Sequence, residues 1–180
     1  MSTSYVEEFY RAHTELIGYL INSGQPSFAS DANDNFRRSL VLAIASYFEH
    51  EISEVVRKLP VKHAQGNPFL MALVEQKAVS RQYHTYFQWD GPNANRFFSL
   101  FGAAYKEAAE KKFKEDGEFK ASVQAFLSLG DTRNKLVHEN YVRFSVDLTP
   151  EDIIARFRQA EKFLDYVRET LLPPQVAPIE

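Results

Sequence analysis

Residues 34–59, DNFRRSLVLAIASYFEHEISEVVRKL, form the stretch that decides the fold. Apolar side chains recur through it at steps of three and four residues, which is the spacing of one face of an α-helix. At about 100° per residue they cover roughly half the circumference, so we expect this helix to lie at the centre of the molecule. These side chains are Phe36, Leu40, Val41, Ile44, Tyr47, Phe48, Ile52, Val55, Val56 and Leu59.

The ends of this central helix are also predicted from sequence. The polar segment 27–33 is interpreted as a loop, and Asn33 or Asp34 as the N-cap of the helix. Pro60 is expected to end the helix, because an interior proline lacks the amide hydrogen and clashes with the preceding turn.

Similar spacings predict further helices before and after the central one. The first covers residues 5–22, a short one covers 68–79, a third is opened by the turn at 90–93 and runs into the lysines near 114, and a fourth covers 118–137. Residues 81–91 follow neither the helical nor the strand period, so we interpret them as loop or irregular structure.

The last helix has the clearest start in the sequence. Thr149 can cap it, Pro150 suits its first turn, and two acidic residues follow that complement the helix dipole. Its apolar stripe continues to Leu171, after which residues 173–180 are expected to form a flexible tail. These elements together predict an all-α, single-domain bundle of about five to six helices over residues 1–172.

The composition limits the classes of function. The chain has no cysteine, which excludes disulfides, thiolate nucleophiles and cysteine-ligated metal sites, and we predict no metal and no cofactor. The formal net charge of −3 argues against nonspecific coating of nucleic acid, so any nucleic-acid site must be local. The sequence shows no signal peptide and no apolar run long enough to span a membrane, so we expect a cytoplasmic protein.

Residues 131–141, DTRNKLVHENY, form the stretch that indicates chemistry. Arg133 can hold a phosphate with a planar fork of donors, and His138 carries the side chain that ordinarily exchanges protons near neutral pH. As a general base or acid beside a charge-stabilising guanidinium, His138 would support phosphodiester cleavage without a metal. If the nucleophile is a ribose 2′-hydroxyl, such a reaction leaves a 2′,3′-cyclic phosphate, and DNA is spared because it lacks that hydroxyl.

The apolar face of the helix around this motif becomes small and polar midway. Gly130 and Asn134 fall on the stripe expected to face a partner helix, and the sequence gives no packing reason for either. Asn134 can orient the phosphate or His138. The alternative is a helix break, in which Asp131 or Thr132 caps a new helix. The predicted stripe comprises Val123, Phe126 or Leu127, Gly130, Asn134, Val137 and Tyr141.

The spacing of Arg133 and His138 favours a homodimer. On an ideal helix the two side chains are separated by about 140° and roughly 7.5 Å, so one copy is poorly arranged to hold one phosphate between them. Two copies of this helix meeting across a two-fold axis would bring two arginines and two histidines into one groove.

At these residues the chain resembles the HEPN superfamily, whose signature is an arginine, four to six further residues and then a histidine near the end of a helical bundle. Arg133, Asn134 and His138 match that signature, and the segment 46–49 resembles the part of the second helix that carries an acidic residue in some members. The resemblance implies that Glu49 orients Arg133. It also implies a metal-independent endoribonuclease, active as a homodimer and often a toxin or defence effector that cuts RNA.

The resemblance extends to partners and to one further residue. It implies an RNA substrate and an antitoxin or regulatory protein as partner. Some HEPN proteins carry a tyrosine two residues after the histidine, which a partner nucleotidyltransferase can modify. In this chain Tyr141 comes three residues after His138, one position later than in that pattern.

Several alternatives remain open from sequence. The chain can be a catalytically silent HEPN-type module that dimerises and binds RNA, a nucleotide or a protein, or a plain interaction domain in which Arg133 and His138 are structural. Position on the helix alone favours Glu51 over Glu49 as the unusual carboxylate. The aromatic segment 83–89 either stacks on bases or packs inside the protein, and His13 is expected in the core.

Overall fold

The computed structural model describes residues 5–139, 141 and 144–174, and the regular structure within them is entirely helical. The predicted all-α class is confirmed. The helices are α1 (Tyr5–Asn22), α2 (Pro26–His63), α3 (Pro68–Val74) continued by the π-helix Glu75–Val79, α4 (Tyr83–Tyr86), α5 (Asn95–Ser99), α6 (Ala103–Glu115), α7 (Gly117–His138) and α8 (Pro150–Leu171).

The eight α-helices of the described residues exceed the five to six predicted. The helix predicted from the turn at 90–93 is divided into α5 and α6 at Gly102, whose φ of +97° is a backbone conformation that side-chain-bearing residues rarely adopt. The aromatic segment, interpreted as irregular, contains the single turn of α4.

The central position predicted for α2 is confirmed by its neighbours. This helix packs against α1, α3, α7 and α8, and its buried side chains join one hydrophobic core with those of α7 and α8. Burial of this apolar face is the main source of stability for a bundle of this kind. The buried residues of α2 are Ala29, Phe36, Leu40, Val41, Ile44, Phe48, Ile52, Val55, Val56 and Pro60.

The predicted loop at residues 27–33 is wrong, because α2 begins at Pro26. Tertiary contacts outweigh the polar composition of this segment. His13 of α1 stacks on Phe36, with 3.6 Å between ring centroids, and its Nε2 lies 2.7 Å from the Asn33 side-chain oxygen. His13 is therefore a half-buried residue that joins α1 to α2 rather than a core side chain.

Pro60 does not end α2, which continues to His63. Only one turn of helix follows the proline, so its missing amide hydrogen costs a hydrogen bond near the helix end rather than in the middle. The Pro60 carbonyl accepts hydrogen bonds of 3.0 Å from the amides of both Ala64 and Gly66, which closes this end of α2.

The predicted start of α8 is confirmed. The Thr149 hydroxyl accepts a hydrogen bond of 3.1 Å from the Asp152 amide, and the Asp152 carboxylate accepts one of 3.3 Å from the Thr149 amide. This reciprocal pair is a capping box. The domain boundary at residue 172 stays a prediction, and residues 175–180 of the predicted tail lie outside the described part of the chain.

Candidate active site

The motif lies on α7, which is continuous from Gly117 to His138, so the predicted helix break at Asp131 or Thr132 is wrong. The predicted stripe is corrected near its end, because Leu136 is fully buried whereas Val137 is 51% exposed. Leu129 and Leu136 are seven residues apart, close to two full turns, so both face the core.

Gly130 has a packing reason that the sequence did not show. A Cβ added to Gly130 would lie less than 3.0 Å from the Cε3 and Cζ3 ring carbons of Trp89, closer than real Cβ atoms come to their neighbours. The indole occupies the space that a side chain at this position would need. The interpretation of Gly130 as a departure from packing is therefore wrong.

A pocket opens beside this contact, where α2, α4 and α7 meet, and we call it the Arg133 pocket. Its enclosed volume is about 20 Å³, which accommodates roughly one water molecule. The polar groups are Glu49, His84, Arg133 and Asn134, and the apolar wall is formed by Ala45, Phe48, Tyr83, Trp89, Phe126, Leu129 and Gly130.

Arg133 is half-buried in this pocket, and its Nη1 donates a hydrogen bond of 3.2 Å to the side-chain oxygen of Asn134. Burial raises the pKa of the Tyr83 phenol well above its usual value of 10, the negative charge of Glu49 raises it further, and the positive charge of Arg133 lowers it. Glu49 and Arg133 thus both act electrostatically on one buried phenol. Among the described residues, no ion pair within 4.0 Å joins Glu49 directly to Arg133.

The two candidate carboxylates of α2 have different surroundings. The carboxylate of Glu51 accepts a hydrogen bond from Arg168 of α8, so its position inside the apolar arc is explained by an ion pair between helices. Glu49 lines the pocket with Arg133. The observed geometry therefore favours Glu49 over Glu51 as the carboxylate of the candidate site.

His138 and Tyr141 are not part of this pocket. His138 is the last residue of α7 and is exposed, and Tyr141 is 40% exposed. The Arg38 guanidinium lies 5.9 Å from the centroid of the Tyr141 ring, and Arg38 also donates to the Phe144 carbonyl at 2.8 Å. These contacts join Tyr141 and Phe144 to the first half of α2.

The comparison with known proteins identifies the family of the chain. The model of the RiboL-PSP-HEPN family matches residues 7–172. The chain belongs to the RiboL-PSP-HEPN family. The resemblance found at the Arg133 motif is confirmed by this match, and HEPN families are generally associated with ribonuclease activity, although some members are inactive. No curated protein and no solved structure shows significant similarity to the chain.

In this HEPN domain the fold brings together part of the predicted site. Arg133, Asn134 and Glu49 share one pocket, whereas His138 lies outside it at the helix end. Because Asn134 accepts a hydrogen bond from Arg133, it can position that guanidinium, a role in addition to those considered from sequence.

For one polar residue of this HEPN pocket, the sequence predicts base stacking or packing but no acid–base role. His84 lines the pocket beside Arg133, but the sequence placed it only within an aromatic segment. The neighbouring rings of Tyr83, Tyr86 and Phe87 are buried, so packing explains most of that segment. In the sequence, His84 is marked only as an imidazole within a run of aromatic residues, which does not indicate a pocket.

The described residues contain no group of three or more His, Cys, Asp or Glu side chains placed to hold a metal ion. Over the same residues, no helix is both long enough and apolar enough to cross a bilayer.

Proposed function

We propose that this HEPN protein is a metal-independent endoribonuclease that acts as a homodimer. The observation that carries the proposal is the separation of the two motif residues on one continuous helix. Arg133 is half-buried beside Glu49, and His138 is exposed at the helix end, where a second chain can approach it. HEPN domains commonly bind RNA and dimerise, which supports a site completed by two copies.

In the proposed reaction the ribose 2′-oxygen attacks the neighbouring phosphorus. Arg133 binds the non-bridging phosphate oxygens and stabilises the charge that develops on them. His138 transfers a proton to or from the reacting oxygens. Asn134 holds the Arg133 guanidinium through its hydrogen bond, and Glu49, which lines the same pocket from α2, complements its positive charge.

The test is RNA cleavage by purified protein with a chelator present. We expect the wild type to cut RNA, to leave 2′,3′-cyclic phosphate ends and to spare DNA of the same sequence. Arg133→Ala and His138→Ala should each lower the rate by at least about 100-fold, the range of a lost charge stabiliser or acid–base group. Matched controls are Arg11→Ala and His50→Ala, two exposed residues outside the pocket.

Two results would contradict this proposal. Intact RNA after incubation with the purified wild-type dimer would refute the nuclease activity. A protein that sediments only as a monomer and still cuts RNA would refute the composite site.

The proposed biological role is a toxin or defence effector. Expression of the wild type should arrest growth, and Arg133→Ala or His138→Ala should each relieve the arrest. Sequencing the 5′ ends of cellular RNA after induction would identify the substrate among tRNA and mRNA. An antitoxin or regulatory protein should bind the dimer and suppress both the arrest and the cleavage.

The second candidate function is a silent HEPN module that dimerises and binds RNA, a nucleotide or a protein. It is favoured by the position of His138, which lies outside the Arg133 pocket of its own chain. A silent module would bind RNA without cleaving it. A binding assay run beside the cleavage assay therefore separates the silent module from the ribonuclease.

A further inference from the structure

The Arg133 pocket contains a second imidazole, that of His84. Its side chain is exposed, while the flanking Tyr83 and Tyr86 are buried, so the turn that carries it is fixed in the core. The indole Nε1 of Trp89 donates a hydrogen bond of 3.2 Å to the His84 carbonyl oxygen. His84 is thus a solvent-accessible imidazole on a fixed backbone, beside the arginine of the motif.

Cleavage of RNA by its own 2′-hydroxyl requires two proton transfers. The attacking oxygen must lose a proton, and the leaving 5′-oxygen must gain one. The pocket that holds Arg133 includes His84 but not His138. The chain therefore offers one imidazole at the guanidinium and another at the end of α7.

We propose that His84 is the general acid of this site, acting with Arg133 of its own chain, and that His138 of a second copy is the general base. This assignment rests on the proposed ribonuclease function. The 2′-oxygen gives its proton to the neutral imidazole of His138 and forms a bond to phosphorus. The bond from phosphorus to the 5′-oxygen breaks, its electron pair goes to that oxygen, and the oxygen takes a proton from the imidazolium of His84.

The pocket also offers a group that can orient His84. A catalytic imidazole transfers a proton at one ring nitrogen while an acceptor holds the N–H of the other. Glu49 of α2 lines the same pocket and can supply that acceptor. The other charged or titratable groups that line the pocket are Arg133 of α7 and Tyr83, the neighbour of His84 on α4.

The decisive experiment compares two substrates that differ only in their leaving group. A dinucleotide such as UpA has an alkoxide leaving group that needs a proton, whereas uridine 3′-(4-nitrophenyl phosphate) has a leaving group that does not. His84→Ala should lower kcat on UpA by about 100-fold, with KM little changed, because a general acid contributes on that order. On the nitrophenyl ester the loss in kcat should fall below about fivefold. In the wild type, kcat on UpA should decline at alkaline pH because the general acid loses its proton, and this decline should be absent from His84→Ala.

The control variants separate chemistry from structure. His84→Gln keeps a polar side chain of similar length and should show the same substrate dependence as His84→Ala. His138→Ala should lose activity on both substrates, because the attacking hydroxyl is the same in each. His50→Ala, an exposed histidine of α2 outside the pocket, should leave both rates unchanged.

The outcomes distinguish this inference from the proposed function. A wild type that leaves both substrates intact overturns the ribonuclease function and the His84 assignment with it. An active wild type with equal losses on the two substrates, or with no loss in either His84 variant, overturns only the role of His84 as the acid.

Discussion

The indole of Trp89 packs directly against Gly130 of α7, in the space where any other residue would place its Cβ. The same indole contacts the core, with its ring centroid 4.9 Å from that of Phe87 and 5.7 Å from that of Phe126. Arg133 follows Gly130 by less than one helical turn, so this contact sets the position of the arginine relative to the segment that carries His84.

Gly130→Ala should therefore lower the free energy of unfolding by about 1–3 kcal/mol, the usual effect of overpacking a filled site. The control is Gly18→Ala in α1, where an added Cβ meets nothing within 4 Å. That change should raise stability by roughly 0.5–1 kcal/mol, because alanine is the better helix former. Urea denaturation of both variants provides the measurement.

A second substitution tests whether Trp89 is the cause. In the double variant Gly130→Ala with Trp89→Leu, the smaller side chain frees space for the new Cβ, so the two effects should not add. Strict additivity would show that the indole is not what constrains Gly130.

The carboxylates Glu49 and Glu51 should respond in opposite ways to substitution. Glu51→Gln weakens the ion pair with Arg168 and should cost about 0.5–1 kcal/mol of stability, without a specific effect on RNA cleavage. Glu49→Gln should reduce cleavage by at least about tenfold while leaving stability nearly unchanged, because Glu49 lines the Arg133 pocket. Cleavage rates and urea midpoints measured on the same preparations would decide, and a reversed pattern would place the functional carboxylate at Glu51.

Mixed dimers test whether the site is composite. A chain with Arg133→Ala and a chain with His138→Ala, co-expressed with different tags and purified as a heterodimer, retain one intact arginine and one intact histidine on opposite chains. We expect this heterodimer to recover about a quarter to a half of the wild-type rate, while both homodimers stay inactive. An inactive heterodimer would contradict a site that needs only Arg133 of one chain and His138 of the other.

The helices with strong periodicity could be predicted from the sequence, and the contacts between them could not. The capping box of Thr149 uses residues three apart in the chain, so its chemistry is visible in the sequence. The polar start of α2 looked like a loop because its stabilising partner, His13, belongs to another helix.

In the candidate site, too, the residues of a local motif can be predicted from the sequence, and the contacts between helices cannot. Arg133, Asn134 and His138 can be recognised in the sequence because they form a short motif, and Glu49 because of the family resemblance. His84 and the role of Gly130 depend on how the segment 83–89 packs on α7, which no local pattern indicates. The hydrogen bond from Arg168 to the Glu51 carboxylate cannot be predicted from the sequence either, because it joins two different helices, α2 and α8.

The pH dependence of stability should differ in sign between Glu7 and Glu161. The hydrogen bond from Arg158 lowers the pKa of Glu7 below its ordinary value of 4.5, and two contacts of 2.7 and 2.8 Å join these side chains across α1 and α8. This pair stabilises the fold above the ordinary carboxyl pKa, and the stabilisation is lost as the pH falls through the lowered folded-state pKa. Burial instead raises the pKa of Glu161 above its ordinary value of 4.5. The folded state therefore loses stability as the pH rises from 4.5 through the raised folded-state pKa, because the buried carboxyl group must then become charged.

Glutamine at either position mimics a permanently neutral carboxyl group. At neutral pH, Glu7→Gln should lower the free energy of unfolding by about 0.5–1 kcal/mol, whereas Glu161→Gln should leave it unchanged or raise it. Both differences from the wild type should shrink once the pH falls below the carboxyl range, because the wild-type side chains are then protonated as well. Urea denaturation at neutral and at acidic pH measures this, and a Glu7→Gln penalty that persists unchanged in acid would show that packing, rather than charge, makes this contact stabilising.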